Sequence, residues 1–111
     1  MIRGEKLFGS KTRTSVLILI ALLEESYPTE LAQLIGAKLY TIQKICESLE
    51  SDGIVVSRLF GRTRQVTLNP RYAAAKELHA LLWSLGTSRI DLQTAAATKR
   101  RRARRPGKPG L

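Results

Sequence analysis

Eight consecutive apolar residues, Val16 to Leu23, are the feature that most limits what this chain can fold into. A helix made from them is apolar nearly all round, so it needs neighbours on several sides rather than on one. Crossing a bilayer takes about 20 such residues, and the run also lies too far from a cleavage-site pattern to read as a signal peptide. The run therefore reads as a buried helix of a cytoplasmic protein with no membrane association. With 111 residues the chain can build one core and not two.

Gly, Pro and small polar residues divide the rest into elements. Ser10 is placed to cap a first helix over about 11–25, because its hydroxyl can accept from a free N–H of the first turn. Tyr27-Pro28 breaks that helix, and Pro28 suits the first turn of a second one over 29–35, where its missing N–H is no loss. Gly36 ends it. A third helix fits 38–52, with Ile42, Ile45, Cys46 and Leu49 recurring at spacings of three and four, and Gly53 terminating it. The β-branched and aromatic stretch 54–60, the turn pair Gly61-Arg62 and the alternating stretch 63–68 read as a β-hairpin. After Asn69-Pro70 a fourth helix is expected over about 71–85, ended by Gly86. An Ala-rich helix over 88–97 can follow, anchored by Leu92. Residues 99–110 carry no apolar surface to bury and are expected to be a disordered basic tail. The organisation is thus a mostly α domain with a small β-hairpin over 1–86, then a short helix and tail over 87–111.

Charge narrows the partners. Lys plus Arg number 19 against 9 Asp plus Glu, a net charge of +10. Seven of the basic residues lie in 98–111 with no acidic one, leaving the first 97 residues with a net +3. Such a surplus favours a polyanion, either nucleic acid or an anionic surface. Cys46 is the single cysteine, so no intrachain disulfide forms, and a reducing compartment fits. No Gly-rich phosphate loop, nucleophile elbow or carboxylate pair beside a His is present, so the chain reads as a binding protein and not an enzyme.

Glu30-Leu31-Ala32-Gln33-Leu34-Ile35-Gly36-Ala37, then Thr41-Ile42, Leu49-Glu50 and Gly53-Ile54-Val55, resemble the helix-turn-helix pattern of ArsR- and MarR-like winged-helix regulators. The resemblance covers about 8–85 and implies a winged helix-turn-helix fold and a sequence-specific, DNA-binding transcriptional regulator. The helix over 38–52 would enter the major groove of double-stranded DNA, and the hairpin over 54–68 would be the wing on the flanking backbone.

If Ala37, Ile42, Cys46 and Leu49 pack inward, then Lys38, Leu39, Tyr40, Thr41, Gln43, Lys44 and Glu47 face outward. Gln43 can pair bidentately with an adenine edge, and Lys38 or Lys44 can meet a guanine or a phosphate. Tyr40 and Thr41 can donate to phosphate oxygens. Arg58, Arg62 and Arg64 of the hairpin can reach the adjacent backbone or minor groove. Arg100, Arg101 and Arg102 in the tail can grip phosphates without reading bases. The alternative for each is a solvated polar side chain.

Lys38 stands where related helices usually carry a capping Ser or Thr, and Leu39 and Tyr40 are more apolar than a groove-reading surface needs. A winged-helix protein–protein module is therefore one alternative, and the Arg-rich tail makes a basic RNA-binding protein another. Metal-sensing relatives place paired Cys or Cys/His ligands on their helices; Cys46 and His79 supply no such set, so no cofactor is expected. Leu78, Leu82, Trp83 and Leu85 on the fourth helix are either core or half of a homodimer seam along 71–85.

Overall fold

A computed structural model describes residues 7–104, with side chains through Thr98. It contains five helices and one antiparallel hairpin among these residues: α1 Lys11–Leu23, α2 Pro28–Ile35, α3 Leu39–Ser51, β1 Val55–Phe60, β2 Thr63–Leu68, α4 Ala75–Thr87 and α5 Ile90–Arg104. The fold is mostly helical.

The apolar run sets the centre. Thr14 through Leu22 of α1 are all buried, and α2, α3, α4, α5 and β2 each pack on this helix. Its N-terminus is closed by Ser10, whose Oγ accepts from the Arg13 N–H at 3.0 Å. Truncating one of the fully buried side chains, Leu17 for instance, removes its transfer energy and leaves a cavity, a loss of about 2–5 kcal/mol.

The helix stops at Leu23, short of the expected end near 25. Glu24 turns the chain with φ 73°, a left-handed conformation that no glycine relieves. The compensation is Ser26, which is buried and pairs with Val66 of β2 through two backbone bonds of 3.0 and 2.7 Å. Its hydroxyl donates to Glu30 Oε1 at 2.6 Å. A single-residue bridge has no periodicity, so pattern reading misses it.

Pro28 occupies the first turn of α2, and Gly36 closes that helix in the left-handed region at φ 79°, with the Gly36 and Ala37 N–H groups both donating to the Ala32 carbonyl. This bend delivers α3, whose Ile42, Cys46 and Leu49 are buried as their spacing predicts. The hairpin pairs Val55 with Leu68 through Phe60 with Thr63, leaving Gly61-Arg62 as a two-residue loop. Gly61 has φ 62°. A positive φ at the first loop position matches the twist of the strands.

Three expectations change after the hairpin. The fourth helix begins at Ala75 rather than near 71, because Asn69 holds the preceding turn: its Oδ1 accepts from Arg71 N at 3.0 Å and its Nδ2 donates to the Gly53 carbonyl at 2.9 Å. Gly86 does not end α4. It is buried inside the helix, where a Cβ would stand 3.3 Å from Ile18 Cγ2 and 3.5 Å from Leu22. It serves the crossing of α4 over α1. The fifth helix, expected to end near 97, runs on to Arg104. Lys and Arg are good helix formers, and their charge is favourable at a helix C-terminus. Of the tail expected to be disordered from Lys99, residues 99–104 fall within α5, and 105–111 lie outside the described residues.

Leu92 and Ala96 of α5 are buried in the same core as α1. At the α4–α5 junction Arg89 is buried, donating from Nε and Nη2 to the two Asp91 carboxylate oxygens at 3.1 and 3.0 Å. That hydrogen-bonded pairing with Arg89 holds the Asp91 carboxyl below the usual carboxylate range. Arg89 Nη1 is buried without a partner among the described residues.

Candidate nucleic-acid interface

The outward face of α3 carries the side chains expected there. Lys38 is the N-cap residue and makes no side-chain capping bond, as its lack of an acceptor dictates. Tyr40, Thr41, Gln43 and Lys44 are exposed, and so is Leu39. Lys44 has local company: Nζ lies 3.6 Å from Glu47 Oε1 and 5.5 Å from the centroid of the Tyr40 ring. A phosphate would compete with an exposed ion pair that is itself weak.

In the hairpin, alternation sorts the side chains. Arg58 and Phe60 share one face, the guanidinium 5.7 Å over the ring centroid. Ser57 and Leu59 share the other, opposite Val66 and Arg64 respectively. This second face looks across a groove of about 840 Å³ toward α3 and the start of α2. Gln43, Cys46, Glu47 and Glu50 line it from α3, and Ser57, Leu59, Arg62 and Arg64 from the hairpin.

Of the expected contact residues, the fold brings Gln43, Arg62 and Arg64 together in that groove. Lys38 at the N-cap of α3, and Tyr40, Thr41 and Lys44 on the helix, stand outside it, and Arg58 faces away on the far side of the ribbon. Arg100, Arg101 and Arg102 belong to the last turns of α5, and their side chains lie outside the described residues.

Sequence reading missed Glu50. It accepts from Ser57 Oγ at 3.0 Å on both carboxylate oxygens, and Arg64 Nη1 donates to the same hydroxyl at 2.7 Å. The signal was present, since 43, 47 and 50 fall four and three apart and so share one helix face. The groove is consequently mixed in charge, with Glu47 and Glu50 facing Arg62 and Arg64.

Cys46 is buried at the floor of the groove. Burial pushes its thiol up to about 11, and Glu50 and Glu47 add to the rise. It is neutral at pH 7 and packs as a small apolar group. His79 is exposed on α4 and its Nε2 accepts from Trp83 Nε1 at 3.2 Å. Among the described residues no cluster of three or more His, Cys, Asp or Glu is placed to hold a metal ion. Among the same residues no helix is long and apolar enough to cross a membrane. Compared with protein-family models, curated proteins and solved structures, the chain matches none.

Proposed function

We propose that this protein is a sequence-specific, double-stranded-DNA-binding transcriptional regulator of the winged-helix kind. In this reading α3 enters the major groove and the hairpin is the wing. The observation that carries it is the convergence of Gln43, Arg62 and Arg64 on one groove, beside a helix face bearing Lys38, Tyr40, Thr41 and Lys44. An amide able to pair with an adenine edge and guanidinium groups able to meet phosphate divide the work of reading and positioning. The net charge of +10 supplies the long-range attraction. The single free cysteine fits action in the cytoplasm.

A homodimer belongs to this reading, because two half-sites on one duplex multiply affinity. Exposed Leu81 and Trp83 on α4 supply its apolar contact. Leu82, considered for the same seam, is fully buried in the monomer and is corrected to a core residue. It follows the inner face of α4 that packs on α1.

The second reading is a winged-helix protein–protein module, favoured by the exposure of Leu39 and Tyr40 on the same face of α3. Selection of bound duplexes from a random-sequence pool, with affinity followed against salt, separates the two. Enrichment of a motif and a steep fall of log affinity with log salt support the regulator. An unenriched pool and flat salt dependence overturn it, and preference for structured RNA over duplex would assign the basic surface to RNA instead.

A further inference from the structure

The hairpin ends in two large apolar side chains that the described residues leave more than half exposed. Leu59 is 64% exposed and Phe60 is 53% exposed, directly before the Gly61 turn. Around them the hairpin carries Arg58, Arg62 and Arg64 and no acidic residue over 55–68. Arg58 sits over the Phe60 ring itself. Apolar surface of this kind is unfavourable in water and calls for an apolar partner. Arg58, together with the part of the Arg62 and Arg64 charge that Glu47 and Glu50 across the groove leave uncompensated, calls for an anionic one. A base stack between two rows of phosphates is both.

We infer that the hairpin tip is a wedge, with Phe60 entering a base step from the minor groove and Leu59 against the adjoining sugars, so that the protein unwinds and bends the duplex it binds. This rests on the DNA-binding reading above and goes beyond it, since a wing lying on phosphates needs no apolar tip. The reach is adequate. A six-residue strand extends roughly 20 Å at about 3.3 Å per residue. The neighbouring minor groove lies about half of a ~34 Å helical turn from the major groove that α3 would occupy. Apolar side chains inserted at a step unstack it and kink the duplex.

Relaxation of a closed circular plasmid by a topoisomerase, with the full-length protein bound, tests this directly. Unwinding at each bound site leaves a changed linking number once the protein is removed. The wild type is expected to shift the topoisomer distribution. Phe60→Ala with Leu59→Ala should abolish the shift while still retarding the plasmid in a gel, and Phe60→Leu should keep much of it. Both positions are exposed, so an unchanged thermal transition verifies the fold of each variant. A wild type that retards the plasmid without shifting it overturns the wedge and leaves DNA binding standing. An undiminished shift from the double variant also overturns it. Failure to retard the plasmid at all removes the DNA-binding reading, and the wedge with it. Phe60-dependent pelleting with phosphatidylserine vesicles in that case assigns the tip to a lipid surface.

Discussion

Arg64 donates from Nη1 to Ser57 Oγ at 2.7 Å, and that hydroxyl in turn donates to the Glu50 carboxylate. The relay fastens the hairpin to α3 and spends part of the positive charge of Arg64 inside the protein. If, as proposed, the groove meets phosphate with Arg62 and Arg64, it carries its own brake, since Glu50 and Glu47 would repel what the arginines attract.

Glu50→Gln should accordingly raise affinity for duplex DNA. The exposed interaction involved amounts to at most ~1 kcal/mol, so the gain should be no more than about fivefold. Fluorescence anisotropy on a labelled duplex at low salt would measure it. A fall in affinity would mean that the relay orders the hairpin for binding, or that Glu50 itself accepts from a cytosine amino group.

Gln43 is exposed and lines the groove. Gln43→Ala should narrow the difference between preferred and scrambled sites by about 1–3 kcal/mol while sparing weak binding to any sequence. Competition with unlabelled scrambled duplex reads both quantities. Unchanged ratios would remove Gln43 from the reading surface.

Elements with period were legible in the sequence, and elements set by a single interaction were not. The α1 run, Pro28 and Gly36 around α2, the 42-46-49 stripe of α3 and the Gly61 turn each act locally, so the chain announces them. Gly86 misled because glycine both ends helices and lets them cross closely, and only the position of Ile18 decides which. Leu82 and Trp83 are adjacent in sequence yet fall on opposite sides of the core boundary, a matter of how α4 is rotated on α1. Within the site, the helix face was foreseeable from spacing, whereas the Glu50–Ser57–Arg64 relay depends on where the hairpin folds back.

The buried Arg89 relies on Asp91, whose carboxyl is held below its ordinary range by that hydrogen-bonded partner. A depressed folded-state value contributes stability above the ordinary carboxylate range and loses it as pH falls through the folded value. Thermal melts followed by circular dichroism should therefore drop in that acid window for the wild type and less steeply for Asp91→Asn. At neutral pH the variant should lose about 1–3 kcal/mol, near the low end because Asp91 is 65% exposed. Parallel pH profiles for the two proteins would show that Arg89 is held by packing alone.

Leu82 and Trp83 give a paired test of the homodimer. Leu82→Asp puts an unpaired carboxylate into the core and should unfold the protein. Trp83→Glu changes an exposed side chain on α4 and should yield a folded monomer in sedimentation. A wild type that sediments as a monomer at the same concentration would exclude the dimer, and a Trp83→Glu dimer would move the seam elsewhere.

Arg100, Arg101 and Arg102 fall in the last turns of α5, so they extend from the core as part of a helix whose Leu92 and Ala96 are anchored beside α1. In the DNA-binding reading such a basic extension would add counterion release without base reading, because phosphates are the same at every step. Replacing all three by Gln should weaken binding to every duplex alike and leave the order of preference among sites intact. The slope of log affinity against log salt should flatten by roughly two to three units, about one for each phosphate no longer neutralised. Helix content should persist, since Gln is a good helix former. An unchanged slope would place these residues away from DNA and point to an acidic protein or RNA as their partner. A loss confined to one site would instead mean that the extension reaches base edges, and the division of labour between α3 and α5 would have to be redrawn.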